Sequence, residues 1–360
     1  MRTDARRTGG PLEAIVVVSA QQLHLAVHPP GTVDFDTLPL LARTAERGGF
    51  DFLLLPEAPP PGPEVLTALG ALAAATTRLG LAAALGPAVH QPYELARRLA
   101  SLDHLSAGRA AWSVTVDPDA AADGTLRHGG LPPDADRHVH AAEFLRAART
   151  LWDSWAEDDV PADQADGLFV RPGAGAFAHR GAHFDLGGRF TTPRAPQGHP
   201  VVVRTVASPQ DLASAAADAD VAIVPHTGLA EARALRQDLA DRLAGHGRAP
   251  GDLRVLAAVA PVLGDTPGEA RDRAAASEPA AQLVGTPREV ADALTAYVRD
   301  GGSDGFLLTP HPAGPLDAFV DRVVPLLRAD GVHRTAYTGT TLRDHLGLAR
   351  TRRPSREASA

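Results

Sequence analysis

The 360-residue sequence contains no cysteine. A disulfide framework and any cysteine-ligated metal are thereby excluded, and thiol usage says nothing of the redox compartment. Lysine is absent as well, so every basic side chain other than histidine is arginine. That removes Schiff-base chemistry and the phosphate-gripping lysine of Walker-type loops. Positive charge is in deficit: 35 basic against 43 acidic residues leave a net charge of −8 and a pI near 6.0. Such a balance argues against nucleic acid or an anionic membrane surface as partner. Long apolar runs are missing too. The stretch Ala14 to Ala20 is far short of a membrane span, and Glu13 interrupts any signal-like region after Arg6-Arg7. These absences predict a cytoplasmic protein, with a disordered leader over 1–10 and a solvated tail over 349–360.

What is present is enough for a large core, with 44% hydrophobic residues. Short apolar runs alternate with amphipathic segments. Ile15–Ser19 precedes a helix over Asp36–Arg47, Phe52–Leu55 precedes Glu64–Thr77, and Leu79–Leu85 precedes Tyr93–Ser106. Ala110–Val116 leads to Arg137–Trp155, Val201–Thr205 to Pro209–Ala219, and Val221–Val224 to Leu229–Ala244. Leu253–Val262 leads to Pro267–Ala276, and Gly305–Leu308 to Leu316–Arg328. Continuous apolar strands of this kind belong to a parallel sheet covered by helices. Eight units in one chain predict a single (β/α)8 barrel, a TIM barrel, over residues 11–348. A doubly wound open sheet is the alternative, but no Gly-x-Gly-x-x-Gly follows the first strand. Two segments break the alternation. One is the Asp-, Gly- and Pro-rich loop Asp117–Asp136; the other, Val160–His199, contains "HRGAHFDLGGRF" and predicts a small hairpin after the fourth helix.

In a barrel the chemistry sits just after each strand. The histidines there raise a metallohydrolase reading, carried by His138-Val139-His140. That pair lies at a helix start, however, where i and i+2 point apart, so no metal site is assigned. Thr205 to Asp211, "TVASPQD", is more informative. Ser208 precedes Pro209 as an N-cap precedes the first helical residue, which makes either a plain capped helix or an anion site suited to phosphate. Asp117, at the end of the fourth strand, is either a turn residue before Pro118 or a carboxylate entering the pocket.

The stretches "ARRLASLDHLSAGRAAW", "EFLRAARTLWDSW", "AHFDLGGRFTTPRAPQGHPVV", "VGTPREVADAL", "DGFLL" and "FVDRVVPLLRADGVHRTAYTGTTLRDHLGL" resemble the bacterial-luciferase-like flavin monooxygenases. The subgroup they are most similar to comprises the nitrilotriacetate, long-chain alkane and dibenzothiophene-sulfone monooxygenases. The resemblance runs from about Pro11 to Gly347. It implies a (β/α)8 barrel, usually dimeric, that takes reduced FMN from a separate flavin reductase and uses O2 on a small organic substrate.

Carried over residue by residue, it places the flavin against Ser113, Thr115 and Asp117 after strand four, where Val116-Asp117 stands for the family's Thr-Ser. It places the phosphate by Thr205, Ala207 and Ser208, with Val206 in place of a glycine, and by Arg137-His138, where the family has Arg-Tyr. His90 lies just before the pair Pro92-Tyr93, which fits the family's proline-aromatic pattern. An aspartate at 117 opposes a phosphate unless Arg137 or Arg204 compensates. Between Gly268-Glu-Ala270 and "VGTPREVADAL" the larger relatives carry a long insertion, reduced here to a short helix. The expected function is an FMNH2-dependent monooxygenase working as a homodimer. The alternatives are a non-catalytic relative acting as a binding module or subunit partner, and a barrel that uses a deazaflavin or another small ligand.

Overall fold

The computed structural model describes residues 22–29, 35–57, 63–116, 136–275, 282–310 and 316–351. The chain enters on β1 (His24–Val27), crosses on α1 (Leu38–Gly48), and repeats the move with β2 (Phe52–Pro56), α2 (Val65–Ala75), β3 (Gly80–Leu85), α3 (Pro92–Leu105), β4 (Ala110–Val114) and α4 (Arg137–Trp152). A hairpin, β5 (Ala176–Arg180) and β6 (Asp185–Arg189), interrupts. Then come β7 (Val201–Thr205), α5 (Pro209–Asp218), β8 (Val221–Pro225), α6 (Leu229–Gly245) and β9 (Arg254–Leu263). The last part holds α7 (Pro267–Ala275), β10 (Gln282–Gly285), α8 (Pro287–Arg299), β11 (Gly305–Leu308), α9 (Leu316–Arg322), α10 (Val324–Ala329) and α11 (Leu342–His345).

Eight of these strands are parallel and close on themselves, in the order β11-β1-β2-β3-β4-β7-β8-β9, with β9 returning to β11. The fold is therefore the (β/α)8 barrel, and the open sheet is excluded. β10 is an extra parallel strand on the far half of β9, from Ala260 to Leu263. The first strand differs from the expectation. His24–Val27 pairs with both β11 and β2, so the place assigned to Ile15–Ser19 is taken by a segment whose histidines hide its apolar pattern. Ile15–Ser19 itself, the leader and residues 352–360 of the tail lie outside the described residues. Thr351 is described, and its hydroxyl donates to the Gln197 carbonyl at 3.0 Å. No helix among the described residues is long and apolar enough to cross a membrane.

Alternation along the strands divides the core into two layers. Leu25, Leu53, Leu81, Trp112, Val202, Val224 and Phe306 pack outward against the helices. Ala26, Phe52, Leu54, Ala82, Ala111, Val201, Val203, Val221, Ile223, Leu256 and Leu307 fill the interior together with Leu342, Leu346 and Leu348 from the C-terminal segment. That segment plugs the end where the strands begin: the Leu342 amide donates to Gly108 O at 2.9 Å, and Arg343 reaches Asp220, just before β8, at 2.7 and 3.1 Å. A β-carbon at Gly305 would fall 2.0 Å from the His24 carbonyl oxygen, so glycine is what lets β11 lie against β1. With one end closed, function is left to the other.

Candidate active site

The open end collects the C-terminal tips of the strands. On β3, β4 and β7 the register sets Ala84, Ser113 and Val203 side by side, facing inward. Ala26, Ala82, Ala111 and Ala258 share that inner face. Barrel interiors are usually filled with valine, isoleucine and leucine. Here Ala84 of β3 and Ala258 of β9, on opposite sides of the ring, are partly exposed near the strand tips, while Ala82 and Ala111 are buried. Ser113 is buried, and Thr115 continues the same face, partly exposed beside Gly86. Thr205 is exposed at the tip of β7.

Two helix starts meet beyond these strand tips, and each carries its own carboxylate. Asp136 caps α4, accepting from the amides of His138 and Val139 at 2.9 and 3.1 Å. Ser208 caps α5, its hydroxyl accepting from the Asp211 amide at 3.2 Å. Asp211 then folds back. Its carboxylate accepts the Ser208 hydroxyl at 2.7 Å and the Ala207 amide at 3.2 Å, while its other oxygen stands 3.9 Å from Nδ1 of His138. The structure thus gathers Ala207, Ser208 and His138, next to Arg137, as the sequence suggested, but around a carboxylate of the chain itself. Asp211 is the residue that sequence reasoning missed. The signal was there: Ser-x-x-Asp is the capping-box pattern.

Other expected residues are dispersed. His90 follows a short 3₁₀ turn at Pro87–Val89 and faces Glu57 at 3.5 Å across the mouth. His28 reaches the Leu54 carbonyl through Nδ1 at 3.1 Å. His226, at the tip of β8, stacks on Tyr297 with ring centres 4.8 Å apart, and partial burial lowers its pKa. Arg204 does not face the mouth. It alternates outward and pairs with Asp218 of α5 at 2.8 Å. Asp117 lies outside the described residues. His138 and His140 diverge: the second packs on His183 and Phe184 at 5.3 and 5.0 Å. Among the described residues no three histidines or carboxylates converge on a possible metal position.

The sequence stretches that carry the family resemblance prove to be largely scaffold. Asp103, buried, accepts from the amides of Ala110 and Gln197 and from the Gln197 side chain, tying α3 to the start of β4. Burial raises its pKa despite these donors. Arg109 spreads its guanidinium over the carbonyls of Ala73, Thr76, Leu79 and Ser106, closing the end of α2. Glu143 of α4 accepts three amides, from Ala182, His183 and Phe184, at 3.1, 2.9 and 2.8 Å. Those donors outweigh the desolvation and hold its pKa below the usual value. The hairpin is thereby docked beside the mouth.

Comparison with known proteins agrees with this architecture. The family model described as luciferase-like monooxygenase matches residues 15–283. The chain is 30% identical to the dibenzothiophene-sulfone monooxygenase of Rhodococcus erythropolis, over 86% of this chain and 88% of that one. It is 28% identical to nitrilotriacetate monooxygenase component A of Aminobacter aminovorans, over 90% and 92% of the two chains. The EDTA monooxygenase structure from Chelativorans sp. BNC1 superposes with a TM-score of 0.78 at 24% identity, covering 91% of this chain and 99% of that one, a likeness of fold. A closed barrel with its functional end at the strand tips, a docked hairpin after α4 and a family match over most of the length together have one meaning: the chain belongs to the luciferase-like monooxygenase family.

Proposed function

We propose that this protein is a monooxygenase that acts on a small organic substrate, using O2 and reduced FMN delivered by a separate flavin reductase. The observation that carries this reading is the open end of the barrel, where the tips of β3, β4, β7 and β9 bring Ala84, Thr115, Thr205 and Ala258 towards the surface opposite the plugged end. There a flavin ring would meet short side chains. The relatives, dibenzothiophene-sulfone and nitrilotriacetate monooxygenases by name, support the reaction class. The other end of the flavin is a different matter. The donors of the α5 start that would hold its phosphate, Ala207 N–H and the Ser208 hydroxyl, are already spent on Asp211. As built, that cradle does not fit a dianion. What the chain supplies is an open end of short side chains, with His28 and His90 partly exposed beside it. The protein works in this reading as a homodimer, in the cytoplasm.

The test is reconstitution with a flavin reductase, NADH, FMN and ¹⁸O2 against a panel of small sulfones, amines and alkanes. One substrate is expected to take up a single ¹⁸O atom, with oxygen consumption matched to product. Uncoupled peroxide formation with every substrate, together with FMNH2 oxidation no different from that without protein, would overturn the proposal.

A further inference from the structure

We infer that Asp211 is a built-in anion of the α5 cradle, competing with the flavin phosphate, so that the protein holds phosphorylated and unphosphorylated flavin about equally well. The inference rests on the reading of the preceding subsection as to which ligand enters the mouth.

A helix start attracts an anion because its first amides lack internal partners and its dipole is positive there. In this chain the attraction is already satisfied. One carboxylate oxygen of Asp211 takes both the Ser208 hydroxyl and the Ala207 amide, and the other faces His138. Only a fifth of the Asp211 side chain is exposed, so the carboxylate is seated in the cradle rather than waving beside it. An incoming phosphate meets two obstacles. The Ala207 amide and the Ser208 hydroxyl are taken, and a like charge sits at the helix start. At roughly 5 Å and an effective dielectric near 20, the repulsion of a single like charge corresponds to a loss of about a hundredfold in affinity. α4 offers no second cradle, because Asp136 occupies its first amides in the same way. The flavin is then retained by its ring system and exchanges readily, which suits a reduced flavin that arrives from one protein and leaves oxidised.

The experiment compares FMN with riboflavin, which lacks the phosphate, by fluorescence titration of the full-length wild type, Asp211→Gly and Asp211→Asn. Inorganic phosphate, read by thermal shift, is a third probe. In the wild type the two flavins are expected to bind within about threefold of each other, and phosphate to leave the melting temperature unchanged. Asp211→Gly should tighten FMN tenfold or more while leaving riboflavin unchanged, and phosphate should now raise its melting temperature. Asp211→Asn, which keeps an acceptor without the charge, should fall between and guards against a glycine that loosens the helix. A wild type that prefers FMN tenfold or more, or an FMN-to-riboflavin ratio unmoved by both substitutions, overturns the inference. Should neither flavin bind any of the three proteins while phosphate stabilises Asp211→Gly alone, the competing anion stands and the flavin reading falls. Phosphate acting equally on all three proteins overturns the competing anion.

Discussion

Single residues in this molecule are decided by what they are packed against, and His345 shows the consequence for pH. It lies at the plugged end of the barrel, almost wholly buried, with its ring 4.8 Å from that of Tyr337 and with Arg334, Asp51 and Asp344 as its charged neighbours. Burial, followed by the like charge of Arg334, lowers its pKa to about 4. An unfolded histidine titrates near 6.5. Between these values the unfolded chain binds a proton that the folded one refuses, so stability falls as pH drops from about 6.5 to about 4 and then levels. His333 and His199, lowered by burial in the same way, add to the slope. The expected outcome for His345→Phe, which keeps the ring contact, is a flatter profile. Urea unfolding at pH 7.0 and 4.5 should lose on the order of 2 kcal/mol less in the variant than in the wild type.

Among the elements, the hairpin of β5 and β6 depends most on one side chain. Its strands are largely exposed. It is held by Tyr93 against Phe177 and Phe190, by the Tyr93 hydroxyl on the Arg189 carbonyl, and by the three amides bound to Glu143. Contact at the turn is so close that a β-carbon on Gly181 would meet the Glu143 carboxylate at 2.0 Å. Glu143→Ala should cost about 2–3 kcal/mol, the scale of lost hydrogen bonds to a charged acceptor, and Glu143→Gln about half of that. Amide exchange at residues 182–184 should accelerate at denaturant concentrations where the barrel amides stay protected. Uniform acceleration across the barrel would show that hairpin and barrel open as one unit instead.

At the scale of the whole molecule, the barrel is sealed by a segment remote in sequence from most of what it touches. Leu342 and Leu346 are fully buried and share one cluster with Phe52 and Val201, while Arg254 of β9 holds the carbonyls of Leu346 and Gly347 at 2.7 and 2.9 Å. Leu346→Ala should destabilise the fold by about 3 kcal/mol, the middle of the range for such truncations. Because the plug lies at the end opposite Ser208, flavin and phosphate titrations of that variant should match the wild type. A change in them would mean that the two ends of the barrel are coupled.

Local patterning was sufficient for most of the elements. The apolar runs at Phe52, Leu79, Val201 and Gly305, the Pro and Ser at helix starts, and the turn residues of the hairpin are each written within a few neighbouring positions, where propensity and periodicity act. Ring closure followed from their number and order. β1 was misplaced because His24 and His28 dilute its apolar signal, and the strand is recognisable only by its pairing with β11 and β2. The candidate site was legible as a set of residues, since Ser208, Arg137 and His138 stand at helix starts that any reader of the chain can find. What they surround was not. Whether the Ser208 cap of α5 is a simple helix start or an occupied anion cradle depends on α4 bringing His138 to 3.9 Å from Asp211. Likewise Arg204 faces Asp218 rather than the mouth because strand alternation turns it outward. Chemistry of single positions and the order of elements belong to the sequence. Which charges meet, and which face they meet on, is decided by packing between elements that lie far apart along the chain.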